Sequence, residues 1–202
     1  MKKKEVHVLV LRPTQFAVGI SEVRAKAHEF KKLSRKKLRK QLEAKIIPVV
    51  ISPEGHFYIT DHHHHLFACL LAGVKTVPIE IKEDLRKRKR LLKFGEFWRY
   101  MCKNGFAYLY DQFGKGPHSA LYLPEDVRGM ADDPYRSLAW AVREAGGYEN
   151  CEQFFSEFAW ADFFRAKKLL AREGRDGFKR AIEHGVRLAK SKAARRLPGY
   201  SG

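Results

Sequence analysis

Cysteine is scarce in this chain. Cys69, Cys102 and Cys151 stand alone at wide spacing, with neither the even count of a disulfide framework nor the paired spacing of a zinc site. A reducing, cytoplasmic setting is therefore expected. No run of about eighteen apolar residues occurs, so no membrane span is expected. The opening Met1-Lys2-Lys3-Lys4 is not followed by the apolar stretch of a secretory signal. No internal repeat is visible, and Gly114-Lys115-Gly116 lacks the spacing and trailing Ser or Thr of a P-loop. Acids are also in short supply: 23 Asp and Glu face 40 Lys and Arg, a net charge of +17.

What is present suits a folded protein. Hydrophobic residues make up 45% and aromatics 12% of 202 residues, enough for one domain or a core with an extension. The charge is unevenly placed. Residues 1–45 hold 14 Lys/Arg against 4 acids, residues 82–93 hold 7 against 2, and residues 165–202 hold 12 against 3. Residues 46–81 and 94–164 carry more acids than bases. Three basic segments around two weakly acidic ones favour a polyanion partner, nucleic acid first. A solvated surface explains the same pattern.

Residues 46–81 are the most informative stretch. Pro48–Ser52 is a β-branched apolar run, Pro53-Glu54-Gly55 a turn, and His56–Thr60 a second strand. Leu66, Phe67, Leu70 and Leu71 then recur at helical spacing with Gly73 as a C-terminal stop, and Val77–Ile81 reads as another strand. Between second strand and helix lies Asp61-His62-His63-His64-His65. A loop entering a helix gathers unpaired backbone N–H groups and the positive dipole end, which suits an anion. Asp61 stands where an N-cap belongs. On a first helical turn His62 and His65 share a face, and Asp61 and His65 are i,i+4 neighbours. The run can serve phosphate contact, proton transfer or a divalent metal site.

This box resembles the core of the ParB/sulfiredoxin superfamily, whose loop reads Gly-Glu-Arg-Arg in partition proteins and Asp-Gly-His-His-Arg in free serine kinases. On the kinase form Asp61 takes the Asp place, His63 and His64 the two His places, and His65 the Arg place, with Ala68 and Gly73 matching the helix. The resemblance covers residues 8–82. Beyond them, the Leu11-Arg12-Pro13-Thr14-Gln15 opening and the segment Ala131–Ala139 are similar to the bacterial ParB-like nuclease subfamily. Three departures matter. His62 replaces the loop glycine, so a backbone relying on positive φ is expected to be built differently. His65 replaces a permanently charged arginine with a titratable group. His63 occupies the sulfiredoxin cysteine position, which excludes sulfinic-acid reduction by that cysteine.

The resemblance implies further site residues. Arg12, Thr14 and Gln15 match the box that closes on the nucleotide in partition proteins, although a turn at Pro13 explains them equally. Glu22 is the counterpart of the glutamate base upstream of the kinase core box. It lies on a helix marked by Ile20, Val23, Ala27 and Phe30, with Ser21 as candidate N-cap.

Ser34 caps a second helix, Arg35–Lys45, whose stripe is Leu38 and Leu42 and whose other faces are almost wholly basic. A long helix is expected from Lys82 to Cys102 with Arg86–Arg90 on its basic face. Residues 106–135 are loop-rich, their aromatics more often core than stacking platforms. Asp132 and Asp133 precede a helix, Ser137–Ala145, as caps or as Mg²⁺ ligands. A third helix is expected over Phe154–Leu170, with Glu157 and Asp162 exposed. A helical stretch over Phe178–Ala189 precedes a frayed end.

The expected architecture is α+β: a ParB/sulfiredoxin-like mixed sheet with helices over 1–82, and a mainly helical extension over 83–202 packed on it. The leading expectation is a nucleotide- or phosphate-binding enzyme carrying out Mg²⁺-dependent phosphoryl transfer or phosphodiester hydrolysis. Asp61, His63, His64 and Glu22 are its catalytic candidates, and Arg12, Thr14, Gln15, His62 and His65 its phosphate or nucleotide contacts. Mg²⁺, with Asp61 as its ligand, and ATP, ADP or CTP are the expected cofactors. The alternative is a non-catalytic, nucleotide-gated DNA-binding module contacting nucleic acid through Arg35, Lys36, Arg39, Lys40, Arg86, Arg88 and Arg90. No helix-turn-helix reader is evident for it.

Overall fold

The computed structural model describes residues 4–151, 153, 155–170 and 176–202. Phe154, expected to open a helix, lies outside them. Strands β1 (Lys4–His7), β2 (Leu11–Arg12) and β3 (Ala17–Val18) lead to helices α1 (Ile20–Lys32) and α2 (Arg35–Ala44). There follow β4 (Ile47–Ile51), β5 (Phe57–Ile59), α3 (His63–Leu71) and β6 (Thr76–Asp84). Helix α4 (Phe94–Lys103), β7 (Ala131–Asp132), α5 (Pro134–Glu144), α6 (Ser156–Ala166) and α7 (Gly177–Ala189) complete the order. The class is α+β, as expected.

The main sheet runs β1-β6-β4-β5-β2 and is mixed. β4 pairs in parallel with β6 and antiparallel with β5, while β2 joins β5 in parallel. Ile47, Val49, Val50 and Ile51 of β4 are all fully buried. Neighbours along one strand point to opposite faces, so both faces of β4 are covered, which is why it reads as a continuous apolar run. The β4–β5 reversal is the expected one, with Gly55 at φ 92° and its N–H donating to Ser52 O.

Contacts divide the chain into two compact units: Met1–Val18 with Val23–Ala131, and Gly19–Glu22 with Asp132–Gly202. Residues 83–131 thus group with the sheet rather than with the later helices. Phe97, Trp98 and Met101 of α4 are buried with Val50 and Leu85 in one apolar cluster. The long helix expected over Lys82–Cys102 is broken. β6 continues to Asp84, held by its pairing with Ile51, and the basic run after it has no apolar stripe to bury. A short 3-10 turn spans Leu85–Lys87, and α4 begins only at Phe94.

One expected cap is also corrected. Helix α1 starts at Ile20, one residue before Ser21. Its amides are held from a distance: Ile20 N donates to Asp132 Oδ1 at 3.0 Å and Ser21 N to Ser137 Oγ at 3.1 Å. Asp133 caps α5 as expected, accepting from the amides of Tyr135 and Arg136. Both aspartates, weighed as Mg²⁺ ligands, therefore serve helix ends.

In the second unit α5, α6 and α7 enclose Leu138, Val142, Trp160, Phe164 and Ala181. Gly185 permits the close approach of α7 to α5, since a Cβ there would lie 2.5 Å from Val142 Cγ2. The end expected to fray is packed instead. Ala194 is fully buried, Trp160 Nε1 donates to Pro198 O at 2.7 Å, and Glu149 N donates to Gly199 O. No helix among the described residues is long and apolar enough to cross a membrane.

Candidate functional site

The Asp61–His65 loop delivers its residues onto the first turn of α3. His62, not Asp61, is the N-cap residue, and it sits in the left-handed region at φ 67° and ψ 27° with no side-chain cap. The positive φ expected to disappear with the glycine is thus retained by a histidine. That conformation is costly for a non-glycine residue. Asp61 steadies it by accepting from His62 N at 2.6 Å and lying 3.1 Å from His62 Nδ1. The carboxylate that was expected to cap the helix is committed to its neighbour instead. At the other end Gly73, at φ 82°, closes α3: its N–H donates to Leu70 O and Val74 N to Cys69 O, the paired bonds of a Schellman stop.

The four histidines have separate environments. His63 is buried, and its Nε2 accepts the Thr14 backbone N–H at 3.1 Å. An acceptor nitrogen carries no proton, so His63 is neutral in this arrangement with its hydrogen on Nδ1. Thr14 Oγ1 donates to Ile59 O at 2.8 Å, which ties the chain after β2 to β5 and to the loop at one point. His64 is also buried. His62 and His65 face each other edge to face with ring centroids 6.4 Å apart, as their spacing implied.

His65 is 3% exposed, packs edge-on against Phe30 with centroids 5.3 Å apart, and leaves Nε2 without a hydrogen bond. Burial, and then the charges of Lys45, His62 and Lys26, push its pKa down to about 3. The residue at the arginine place is thus a buried ring packed on Phe30 rather than an exposed cation. The unfolded chain binds a proton at about 6.5 and the folded chain only near 3. Stability from this group is therefore complete above pH 6.5 and is lost as pH falls toward 3. Between about pH 7.5 and 4.5 the loss is on the order of 3 kcal/mol. A His65→Leu variant is expected to flatten the pH dependence of the urea midpoint over that range. Equal slopes in both proteins would show that His65 is not the buried neutral group.

Local desolvation acts to raise the Asp61 carboxyl, but hydrogen bonding from His62 outweighs it and holds it well below the usual carboxylate range. Its side chain keeps 73% of its surface exposed. Arg12 stands opposite Tyr58 in the β2–β5 register. Gln15 is buried, bridging to Tyr108. The structure thus brings Thr14, Asp61, His62, His63 and His65 together at one loop, with Arg12 on the adjoining strand β2.

Glu22 belongs to the second unit, where a buried charge cluster escaped the sequence reading. Glu157, expected to be exposed, accepts from Arg136 Nη2 at 3.0 Å and from Arg143. Arg136 is 4% exposed and lies 3.8 Å from the centre of the Phe158 ring. Burial works against the Arg143 charge, but Glu157, then Tyr148 and Glu22, hold its pKa up. Asp133 joins Arg165 Nη2 at 2.6 Å, and burial still leaves its carboxyl raised. The one signal in the sequence was an acid placed inside an aromatic helix face.

The expected basic surfaces differ from each other. Arg86 forks onto Asp84, Arg88 pairs with Glu83 and lies over Tyr100, and Arg90 pairs with Glu96. On α2 Arg39 pairs with Glu43, and none of the helix residues is buried.

A five-stranded mixed sheet with a histidine-bearing loop feeding α3 defines an α+β protein with a candidate anion site at the start of that helix. Residues 4–166 match the family described as "Putative ParB-like nuclease", and the chain belongs to that family. The crystal structure of protein Atu1540 from Agrobacterium tumefaciens is 36% identical with a TM-score of 0.85, over 100% of this chain and 97% of that one. Caulobacter crescentus ParB structures also match. The complex with CTP-gamma-S is 12% identical with a TM-score of 0.33, over 95% of this chain and 94% of that one. The complex with the centromeric parS site is 16% identical with a TM-score of 0.31, over 96% and 99%. No curated protein matches the chain.

Proposed function

We propose that this ParB-like protein binds a nucleotide or related phosphate ester at the amino end of α3 and acts on it by phosphoryl transfer or phosphodiester hydrolysis. One observation carries the reading: the α3 terminus has no side-chain cap, and Asp61, which could supply one, is turned onto His62. First-turn amides and the helix dipole together attract an oxyanion. The Asp61 carboxylate beside His62 Nδ1 favours the proton there and leaves Nε2 to accept one from a substrate or water. His63, bonded to Thr14, positions the loop rather than moving a proton through Nε2. ATP, ADP or CTP as its Mg²⁺ complex is the expected ligand. Mg²⁺ accepts one protein carboxylate beside phosphate and water, a place the exposed, ionised Asp61 fits. The ion would neutralise phosphate charge.

Thermal unfolding with ATP, ADP, CTP and GTP, with and without Mg²⁺, tests this. Ligand at about a hundred times its dissociation constant adds roughly 2.7 kcal/mol. The expected result is a shift with one nucleotide that is lost in Asp61→Ala and in His62→Ala. No shift with any nucleotide, or a full shift in both variants, overturns the assignment.

A non-catalytic, nucleotide-gated DNA-binding role is favoured by a different observation, the exposed Lys36 and Lys40 of α2, which have no ion pair among the described residues. It predicts DNA affinity that falls steeply with salt. Lys36→Glu/Lys40→Glu is expected to weaken it far more than Arg88→Glu, whose arginine already serves Glu83. Salt-independent binding, or equal loss in both variants, removes this role.

A further inference from the structure

We infer that the groove between α2 and the α3–β6 turn is a docking site for an acidic amphipathic helix of a partner protein. The groove encloses about 520 Å³. One wall is a single stripe of α2: Arg35, Leu38, Arg39 and Leu42, spaced i, i+3, i+4 and i+7 and therefore on one face. Val74 and Lys75 form the opposite side. All of these residues belong to the first compact unit.

The apolar stripe of α2 is not finished by its own fold. Leu38 and Leu42 remain only half-buried, and the helix contains no buried residue. A ten-residue helix draws most of its stability from burying an amphipathic face, so a stripe left partly open has room for another chain. The walls say what kind. Their floor is aliphatic and their rim is cationic at Arg35 and Lys75, with Arg39 bridged to Glu43 between them, the complement of a helix with leucine-like anchors flanked by carboxylates. No aromatic residue lines the groove, so nucleobases find no stacking platform there. A second copy of this chain would bring its own net charge of +17 against the same cations. Lys36, Lys37 and Lys40 lie outside the groove lining, which shares only Arg35 and Arg39 with the α2 residues expected to contact nucleic acid. The inference does not depend on the nucleotide reading.

The test uses the whole chain and three fluorescein-labelled probes. The first is a peptide with leucines at i, i+3, i+4 and i+7 and glutamates between them. The second is a scramble of the same composition, and the third a single-stranded oligonucleotide of equal charge. By anisotropy at physiological salt the amphipathic peptide is expected to bind about tenfold tighter than the scramble. Leu38→Ser/Leu42→Ser is expected to abolish that preference, and Arg35→Glu/Arg39→Glu to weaken the peptide by about tenfold or more. Both pairs are at the surface, and a circular-dichroism melt checks their fold. In the wild-type chain, hydrogen exchange is expected to slow over residues 35–42 and 72–76 when the peptide is added. Equal affinity for peptide and scramble, loss of oligonucleotide binding in the leucine variant, or protection elsewhere on the chain each overturns the proposal. So does the absence of peptide binding.

Discussion

Replacing Glu157 by Gln is expected to destabilise the second unit by about 3 kcal/mol, because it removes the charge that two arginines share. Glu157 accepts from Arg136 and Arg143 together. Arg136 already leaves Nε and Nη1 without hydrogen bonds at 4% exposure. Without the carboxylate, a buried guanidinium retains chiefly the Phe158 ring lying 3.8 Å from its centre. An isolated buried charge is far costlier than a neutral side chain of similar shape. Adding Arg136→Met to the Glu157→Gln protein is therefore expected to recover part of the loss, although Arg143 still lacks its partner. Urea unfolding followed by fluorescence checks both. A loss below about 0.5 kcal/mol would place the cluster among surface ion pairs.

Trp160→Ala is expected to cost about 3–5 kcal/mol, the range for removing a large aromatic side chain from a core. Trp160 is fully buried and stacked on Tyr148 with centroids 4.1 Å apart. Its indole N–H also donates to Pro198 O at 2.7 Å. The substitution thus removes apolar burial, an aromatic pair and the tether of the carboxyl-terminal segment at once. Trp160→Phe keeps much of the ring and loses the donor, so it is expected to cost less while releasing residues near Pro198. Limited proteolysis of Trp160→Phe should then cut beyond Ala194 faster than in the wild type. An unchanged cleavage rate would mean that the tail is held by its other contacts, such as Glu149 N to Gly199 O.

Local patterns were the legible part of the fold. β4, β5, α3 and β6 all appear where alternating or helical apolar spacing placed them, and Gly55 and Gly73 hold the positive φ values that their turns demand. The Asp61–His65 loop stood out as a candidate site because five polar, titratable residues at a helix entrance have no packing reason to be consecutive. Their individual roles were not. Whether a histidine is a base, a hydrogen-bond acceptor or a core ring depends on residues such as Thr14 and Phe30, which lie 49 and 35 positions earlier in the chain. The break after β6 was missed for the same reason: Asp84 extends a strand because Ile51 stands opposite it, and nothing in the basic run reports that partner.

By itself the sequence determined the elements whose cause is local: strand and helix periodicity, the turn glycines, the α3 stop and the surplus of positive charge. Those follow from backbone sterics and from which side chains can be buried at neighbouring positions. Tertiary structure alone decided which charges are spent and which remain. It paired Arg86, Arg88 and Arg90 with acids, set a half-buried Glu157 between two arginines, kept His65 neutral against Phe30, and left the α2 stripe half-buried. Each of those outcomes depends on distance through space and on desolvation, and neither quantity is written in the spacing of residues along a chain.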